Sequence, residues 1–346
     1  VAVQGTRINE VGFNVAVVGA TGAVGREMLR TLEQRGFPIK NLRAMASSRS
    51  AGDELPYADT AVTVEDLEKA DFDGVDFGLF SAGSGVSIAH ADRAVDQGVI
   101  VIDNTSAFRM DPDKPLVVPE VNADEIVDAP GIIANPNCST IQMVVALKPL
   151  HDAAGLERVI VSTYQSASGA GQRGIDDLMK GLKARLSGED DPAPEKFAHP
   201  LAFDVLPHID VFYESGFTKE ELKMVNETRK IMELPDLRLS ATCVRVPVLR
   251  SHSESITVDL TEPLSADAAR DLWSSAPGVK VYDEPEANQY PLARLAEHTD
   301  DTWIGRVRND LDLDNTLHFW VVSDNLRKGA ALNAVQIAEA IVERRA

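Results

Sequence analysis

The sequence predicts an α/β chain in two parts, a doubly wound parallel-sheet unit and an α+β unit with a mixed sheet. Three observations carry this. The chain has 346 residues, more than one ordinary core organises, so two domains are expected. Its first third alternates short apolar runs with amphipathic stretches, the pattern of strands crossed by helices. After Cys138 the alternation gives way to strand-like runs separated by long segments that contain helices of their own.

In order, "FNVAVVGATG" is an apolar run ending in glycines, and "AVGREMLRTLEQRG" an amphipathic helix stopped by Gly36. "NLRAMASS" is a second strand. "VDFGLFSAG", "VIVIDNTS" and "GIIANP" are further buried strands, with "SIAHADRAVDQG" a helix between two of them. In the second part "ERVIVSTYQSASGAG", "SATCVRVPV", "SESITVDL" and "TLHFWVVSD" have strand character, whereas "TKEELKMVNETRKIME" is helical. "SGEDDPAPEK" is a turn-rich acidic loop. The closing "NLRKGAALNAVQIAEAIVERR" reads as one long amphipathic helix that packs back on the first unit. The expected division is 1–137 with 325–346, and 138–324 between them.

Hydrophobic content of 44% and charged content of 25% are those of a globular protein. No run approaches the roughly 18 apolar residues of a membrane span. "VAVQGTRINEVGF" lacks the layout of an export signal, and the role of residues 1–12 stays open. Two cysteines, Cys138 and Cys243, make neither a disulfide framework nor a multi-cysteine metal site, so no metal and a cytoplasmic setting are expected. The net charge of −20 disfavours nucleic acid and anionic membranes as partners. Any anionic ligand would need cations gathered locally.

"VVGATGAVG" places Gly19, Gly22 and Gly25 after a strand and at the start of a helix. Glycines there let the backbone approach a pyrophosphate, whose charge the helix N-terminus favours. At the end of the second strand stand Ser47, Ser48, Arg49 and Ser50, where an NAD site would carry a carboxylate. Alone they read as an exposed polar loop. After the glycine turn they suit a ribose 2′-phosphate and point to NADP.

"NPNCSTIQMVVALKPL" ends a strand and opens a helix at Cys138. A thiol at that mouth of the sheet is where α/β ligands bind, and the helix end is expected to lower its pKa. Asn137 and neighbouring amides are candidates to stabilise an oxyanion. A thiolate beside a nicotinamide implies aldehyde chemistry through a thioester. Cys243, among β-formers, reads as structural. In "FTKEELKMV", Thr218 and Glu221 form a capping box, so a helix begins near Lys219, with Glu220 and Lys223 on one face. An exposed ion pair is the ordinary explanation of such a pair.

Taken together, "GATGAVG", "SSRSAG", "IDNTSAFR", "NPNCST", "YQSASGAG", "EELKMVNET" and "RVPVLRSHSE" resemble, in order and over nearly the whole chain, the aspartate-semialdehyde dehydrogenase family. The resemblance implies a Rossmann-like NADP domain, a catalytic and dimerisation domain, and a homodimer. It implies NADPH-dependent reduction of L-4-aspartyl phosphate to L-aspartate 4-semialdehyde with release of phosphate, in lysine, threonine and methionine biosynthesis. By the same resemblance Cys138 is the nucleophile, His252 the acid–base and Gln165 the residue that positions the acyl group. Arg245, seven residues before His252, would grip the α-carboxylate. Glu220 would meet the α-ammonium, and Arg109 and Lys223 the phosphate, a local cationic cradle in an anionic chain. Thr21, Ala23, Val24, Ser81, Gly83, Ser168, Gly169 and Asn325 fall at the cofactor. Two rivals remain: an N-acetyl-glutamyl-phosphate reductase, whose substrate has no ammonium for Glu220, and a catalytically silent NADP-binding homologue.

Overall fold

A computed structural model describes residues 12–345; residues 1–11, read above for an export signal, lie outside it. The first sheet holds β1 (Phe13–Val18), β2 (Ile39–Ala46), β3 (Glu54–Tyr57), β4 (Thr60–Asp66), β5 (Phe77–Phe80), β6 (Ile100–Asp103) and β7 (Gly131–Ala134). Their spatial order is β3-β4-β2-β1-β5-β6-β7. All pairs are parallel except the antiparallel ribbon of β3 and β4. That ribbon is absent from the sequence reading. Its strands are short and largely exposed, so only Leu55 and Val64 give it a buried side.

Around this sheet lie α1 (Ala23–Gln34), α2 (Ser84–Asp96) and the short α3 (Pro119–Asn122). The strand order reverses at β1, which lies between β2 and β5. In open parallel sheets ligands bind at such a reversal, outside the carboxyl ends of the strands. Three of those ends converge here: the glycine turn after β1, Ser81 after β5, and the Asn135–Cys138 turn after β7.

The second part begins with α4 (Cys138–Ala154) and contains β8 (Leu156–Gln165), α5 (Gln172–Ser187), α6 (Lys219–Ile231), β9 (Arg238–Arg245) and β10 (His252–Leu260). It continues with α7 (Ala266–Ser275), β11 (Val279–Val281), α8 (Ala293–Ala296), β12 (Thr302–Asn309) and β13 (Thr316–Ser323). The sheet runs β11-β12-β13-β10-β8-β9 and is mixed, with β8–β9 and β11–β12 parallel. Helix α4 is buried along nearly its whole length, against Val159, Val161, Ile256 and Phe319 of the sheet and Trp273 of α7. A helix buried on all sides has no polar face to show, which is why its sequence is apolar rather than periodic.

The C-terminal segment departs from the single helix expected. It starts with a π-helical turn, Arg327–Ala331, and only then becomes α9 (Leu332–Arg345). Asp324 Oδ1 accepts the Leu326 and Arg327 amides at 3.0 and 3.1 Å, starting the turn. The wider turn sends Lys328 inward, where its ammonium meets Glu120, Gln336 and Asn333 at 2.7, 2.7 and 3.0 Å. Three acceptors for three protons make that buried cation tolerable. Beyond it, Ala334, Val335, Ile337, Ala338 and Ile341 of α9 join Val15, Val17, Leu32 and Ile102 in the core of the first unit. Among the described residues no helix is long and apolar enough to cross a membrane.

Candidate active site

The carboxyl ends of the first sheet and the inner edge of the second enclose a cavity of about 970 Å³. On one wall are Gly22, Ala23, Val24 and Ser81, and on the other Ser168, Gly169 and Asn325. The glycine turn is tied to β2 through the Gly19 and Ala20 amides, which donate to the Met45 carbonyl at 2.8 and 3.2 Å. A Cβ at Gly25 would stand 2.2 Å from the Gly19 carbonyl oxygen, so only glycine allows the helix to start this close to the loop. No side chain caps α1. Its first-turn amides are the groups a helix leaves without partners, and residues of that turn face the cavity. These features fit a dinucleotide. Thr21 and Gly19 belong to the turn behind the wall. Gly83, exposed and at φ +97°, caps α2. Ser47–Ser50 closes a turn after β2 in which Ser47, Ser48 and Arg49 are exposed.

Cys138, Asn137, Gln165, Arg109, Glu220, Lys223 and Arg245 all reach the same cavity. Asn137 Oδ1 accepts the Ser139 and Thr140 amides at 3.0 and 3.3 Å, a side-chain N-cap that fixes Cys138 as the first residue of α4. Asn137 Nδ2 donates to Glu220 Oε1 at 2.8 Å, and Gln165 Nε2 approaches the same oxygen at 3.3 Å. The asparagine expected at an oxyanion is thus also a cap and a partner of Glu220. From behind the turn, Gly329 closes on the thiol, and a Cβ there would lie 2.8 Å from Cys138 Cβ.

The capping box is present, with Thr218 and Glu221 exchanging bonds at 2.7 and 3.3 Å, so α6 starts at Lys219. Its Glu220–Lys223 pair, 3.0 Å long, is not the exposed ion pair that spacing alone suggests, because Glu220 is buried. Burial pushes the Glu220 carboxyl up, but Lys223, Asn137 and Arg245 outweigh it and hold the group at about 2. Lys223, half-buried, is disfavoured as a cation by burial, yet Glu220 and Asp210 raise its pKa. Arg245 Nη1 donates to the Ser166 carbonyl at 2.6 Å, and Phe197 lies 5.8 Å from its guanidinium carbon. The cationic cradle exists, but each member already has an oxygen partner.

The thiol does not behave as its place at a helix end suggests. Burial pushes Cys138 up to about 12, Glu220 adds to this, and Arg245, Arg109 and the Ser139 amide pull the other way. Desolvation therefore outweighs the helix end in this arrangement. His252, the first residue of β10, is fully buried behind the cavity wall, its ring beside Gly169. Burial, then the charge of Arg245, lowers its pKa to about 3. The Ser166 amide donates to Nδ1 at 3.0 Å, which places the proton of the neutral ring on Nε2, an atom with no partner.

Sequence reasoning missed several residues of this region. Glu227, two turns beyond Glu220 on α6, accepts from Arg109 at 3.0 Å; its seven-residue spacing from Glu220 was the available signal. Asn104, Asn135 and Asn333 form an amide ladder with links of 2.6 Å running from the cavity to Lys328, and isolated asparagines carry no sequence signal for that. Lys196, Phe197 and His208 also line the cavity, brought in by an irregular segment.

A switch-point sheet opening on an N-capped thiol defines a class, that of dinucleotide-dependent dehydrogenases with a site cysteine, and family models agree with it. Residues 14–129 match "Semialdehyde dehydrogenase, NAD binding domain" and residues 147–328 match "Semialdehyde dehydrogenase, dimerisation domain". Aspartate-semialdehyde dehydrogenase of Aquifex aeolicus is 53% identical over 336 residues, covering 96% of this chain and 99% of that protein. That of Bacillus subtilis is 49% identical over 337 residues, covering 95% and 97%. The crystal structure of aspartate semialdehyde dehydrogenase II from Vibrio cholerae complexed with ASA superposes with a TM-score of 0.94. It is 46% identical, over 96% of this chain and 99% of that one. The chain belongs to the aspartate-semialdehyde dehydrogenase family.

Proposed function

We propose that this chain reduces L-4-aspartyl phosphate to L-aspartate 4-semialdehyde and phosphate with NADPH, and runs the reverse, phosphate-dependent oxidation. The observation that carries the reading is the gathering of Cys138, Gln165, Arg245, Glu220, Lys223 and Arg109 on one cavity beside the glycine turn. Arg245 takes the α-carboxylate and Glu220, ionised, the α-ammonium. That ammonium partner favours the free-amine substrate over an acylated one. Arg109 and Lys223 take the phosphate. Held at three points, the carbonyl carbon is presented to Cys138, and such orientation removes several kcal/mol of barrier.

Because the thiol is pushed up, it loses its proton as it attacks rather than beforehand, and the departing phosphate oxygen takes that proton, since His252 already carries its own on Nε2. The acyl-phosphate C–O bond breaks, phosphate leaves between Arg109 and Lys223, and a thioester remains on Cys138. The nicotinamide, when bound, supplies the hydride. His252 Nε2–H donates to the oxygen that becomes anionic as the thioester is reduced, and the hemithioacetal then collapses to aldehyde and thiol.

NADP rather than NAD is read from Arg49 and the serines around it, which suit a 2′-phosphate. Gly19–Gly25, Ser81, Ser168, Gly169 and Asn325 would hold the rest of the cofactor. The proposed division into 1–137 with 325–346 and 138–324 is supported by α9 packing in the first core and α4 in the second. A homodimer is supported by the dimerisation-domain match and by Ile160 and Tyr164, each 38% exposed on the second sheet. A biosynthetic enzyme of this kind would act in the cytoplasm. The test is NADP reduction with L-aspartate semialdehyde, with and without phosphate. Phosphate-dependent turnover is expected; turnover only with an acetylated glutamyl substrate, or none at all, would overturn the reading.

A further inference from the structure

Glu227 is a buried carboxylate with no part in the chemistry above. It lies on the face of α6 that carries Glu220 and Lys223, and each of its oxygens holds a different piece of the site. Oε1 accepts from Arg109 Nη1 at 3.0 Å, and Oε2 accepts the Asn137 amide at 2.6 Å. Asn137 is the cap that sets Cys138 at the start of α4. On its other side Arg109 Nη2 donates to the Asn104 carbonyl at 2.9 Å, while its buried Nε has no partner. The guanidinium is held through both Nη atoms and keeps its buried Nε without a partner. One side chain thus fixes both the cation and the turn that carries the nucleophile.

We infer that Glu227 is a positioning residue for the phosphate step: it orients Arg109 relative to Cys138, so that phosphate is met at a set place beside the thiol. This rests on the reading of Arg109 as a phosphate ligand. Without the carboxylate, Arg109 keeps its charge but loses its direction. A carboxamide at this position presents one acceptor oxygen where two are needed, so it cannot hold Arg109 and the Asn137 amide together.

The experiment is steady-state oxidation of L-aspartate semialdehyde by the whole enzyme, with phosphate, semialdehyde and NADP varied in turn, for wild type, Glu227→Gln, Glu227→Asp, Arg109→Lys and the double variant Arg109→Lys/Glu227→Gln. Glu227→Gln should raise the phosphate KM about tenfold while moving the semialdehyde and NADP KM values by no more than about twofold. Adding Glu227→Gln to Arg109→Lys should raise the phosphate KM little further, because the two act as one unit. If Glu227→Gln does not fold, Glu227→Asp, whose carboxylate is too short to reach both partners, should show the same selective rise. An unchanged or lower phosphate KM, or a parallel rise of all three, would overturn the inference. A wild type that needs no phosphate would overturn the reading of the site and the inference with it.

Discussion

The two cysteines differ both in burial and in what faces the sulfur. Cys243, inside β9, is fully buried, its amide held by Glu221 at 3.0 Å and its sulfur 3.6 Å from Met224 Sδ. Cys138 is half-buried, at the first turn of α4, on a cavity wall with Arg109 and Arg245 near by. Burial pushes both thiols up, Cys138 to about 12 and Cys243 further. A depressed resting pKa is therefore not what sets the proposed nucleophile, Cys138, apart from Cys243. Access, a capped helix start and cations that stabilise the anion as it forms mark it instead.

The sharpest way to break this contrast is to remove each sulfur. Cys138→Ala should abolish turnover while NADP still binds by fluorescence titration. Cys243→Ala should keep near-normal kcat and lose about 1 kcal/mol of stability in a denaturant melt. Equal loss of activity in both would erase the distinction. The next largest effect is expected behind Cys138. Gly329→Ala places a Cβ 2.8 Å from Cys138 Cβ, so one of the two must shift. A displacement near 1 Å costs up to about 10²-fold in rate, so kcat should fall steeply in a folded protein.

On the turn after β2 the contrast is with exposure. Arg49 lies on an open turn, so Arg49→Ala should weaken NADP about tenfold and leave NAD unchanged, read from the ratio of kcat/KM values. The smallest effect concerns charge. Alkylation of Cys138 in the free enzyme should quicken with pH through pH 9 without a plateau, since only thiolate reacts. Glu220 raises this thiol's pKa, so Glu220→Gln should shift the profile to lower pH. His252, neutral well above its pKa of about 3, should add no step near neutrality.

Much of the fold was legible because local signals and packing agree. The capping box at Thr218 and Glu221 fixes where α6 starts, and the glycine turn fixes where α1 starts. Strand β11 and the β3–β4 ribbon were not legible, since strands of three or four residues and a largely exposed partner carry little periodic signal, and β12 was not legible because its buried residues run together from Thr302 to Gly305 instead of alternating. The π-helical turn was hidden for another reason: "NLRKGAALNAVQ" reads as helical apart from Gly329 and two asparagines, and only Lys328 turning to Glu120 and Gly329 meeting Cys138 reveal the wider turn. In the site, residue identities were readable but their burial was not. Glu220 and Lys223 look like a solvated pair until α6 is packed over α4, and the same packing turns Glu227 inward. The thiol's pKa failed to follow the helix end because desolvation is a property of the assembled site.

The central claim is that the acyl group is carried on Cys138. Its most direct test is peptide mass mapping after mixing the enzyme with L-4-aspartyl phosphate and quenching in acid before any NADPH is added. An aspartyl adduct is expected on the peptide holding Cys138 and none on the peptide holding Cys243. Turnover with no adduct on Cys138, or an adduct on Cys243 instead, would contradict it.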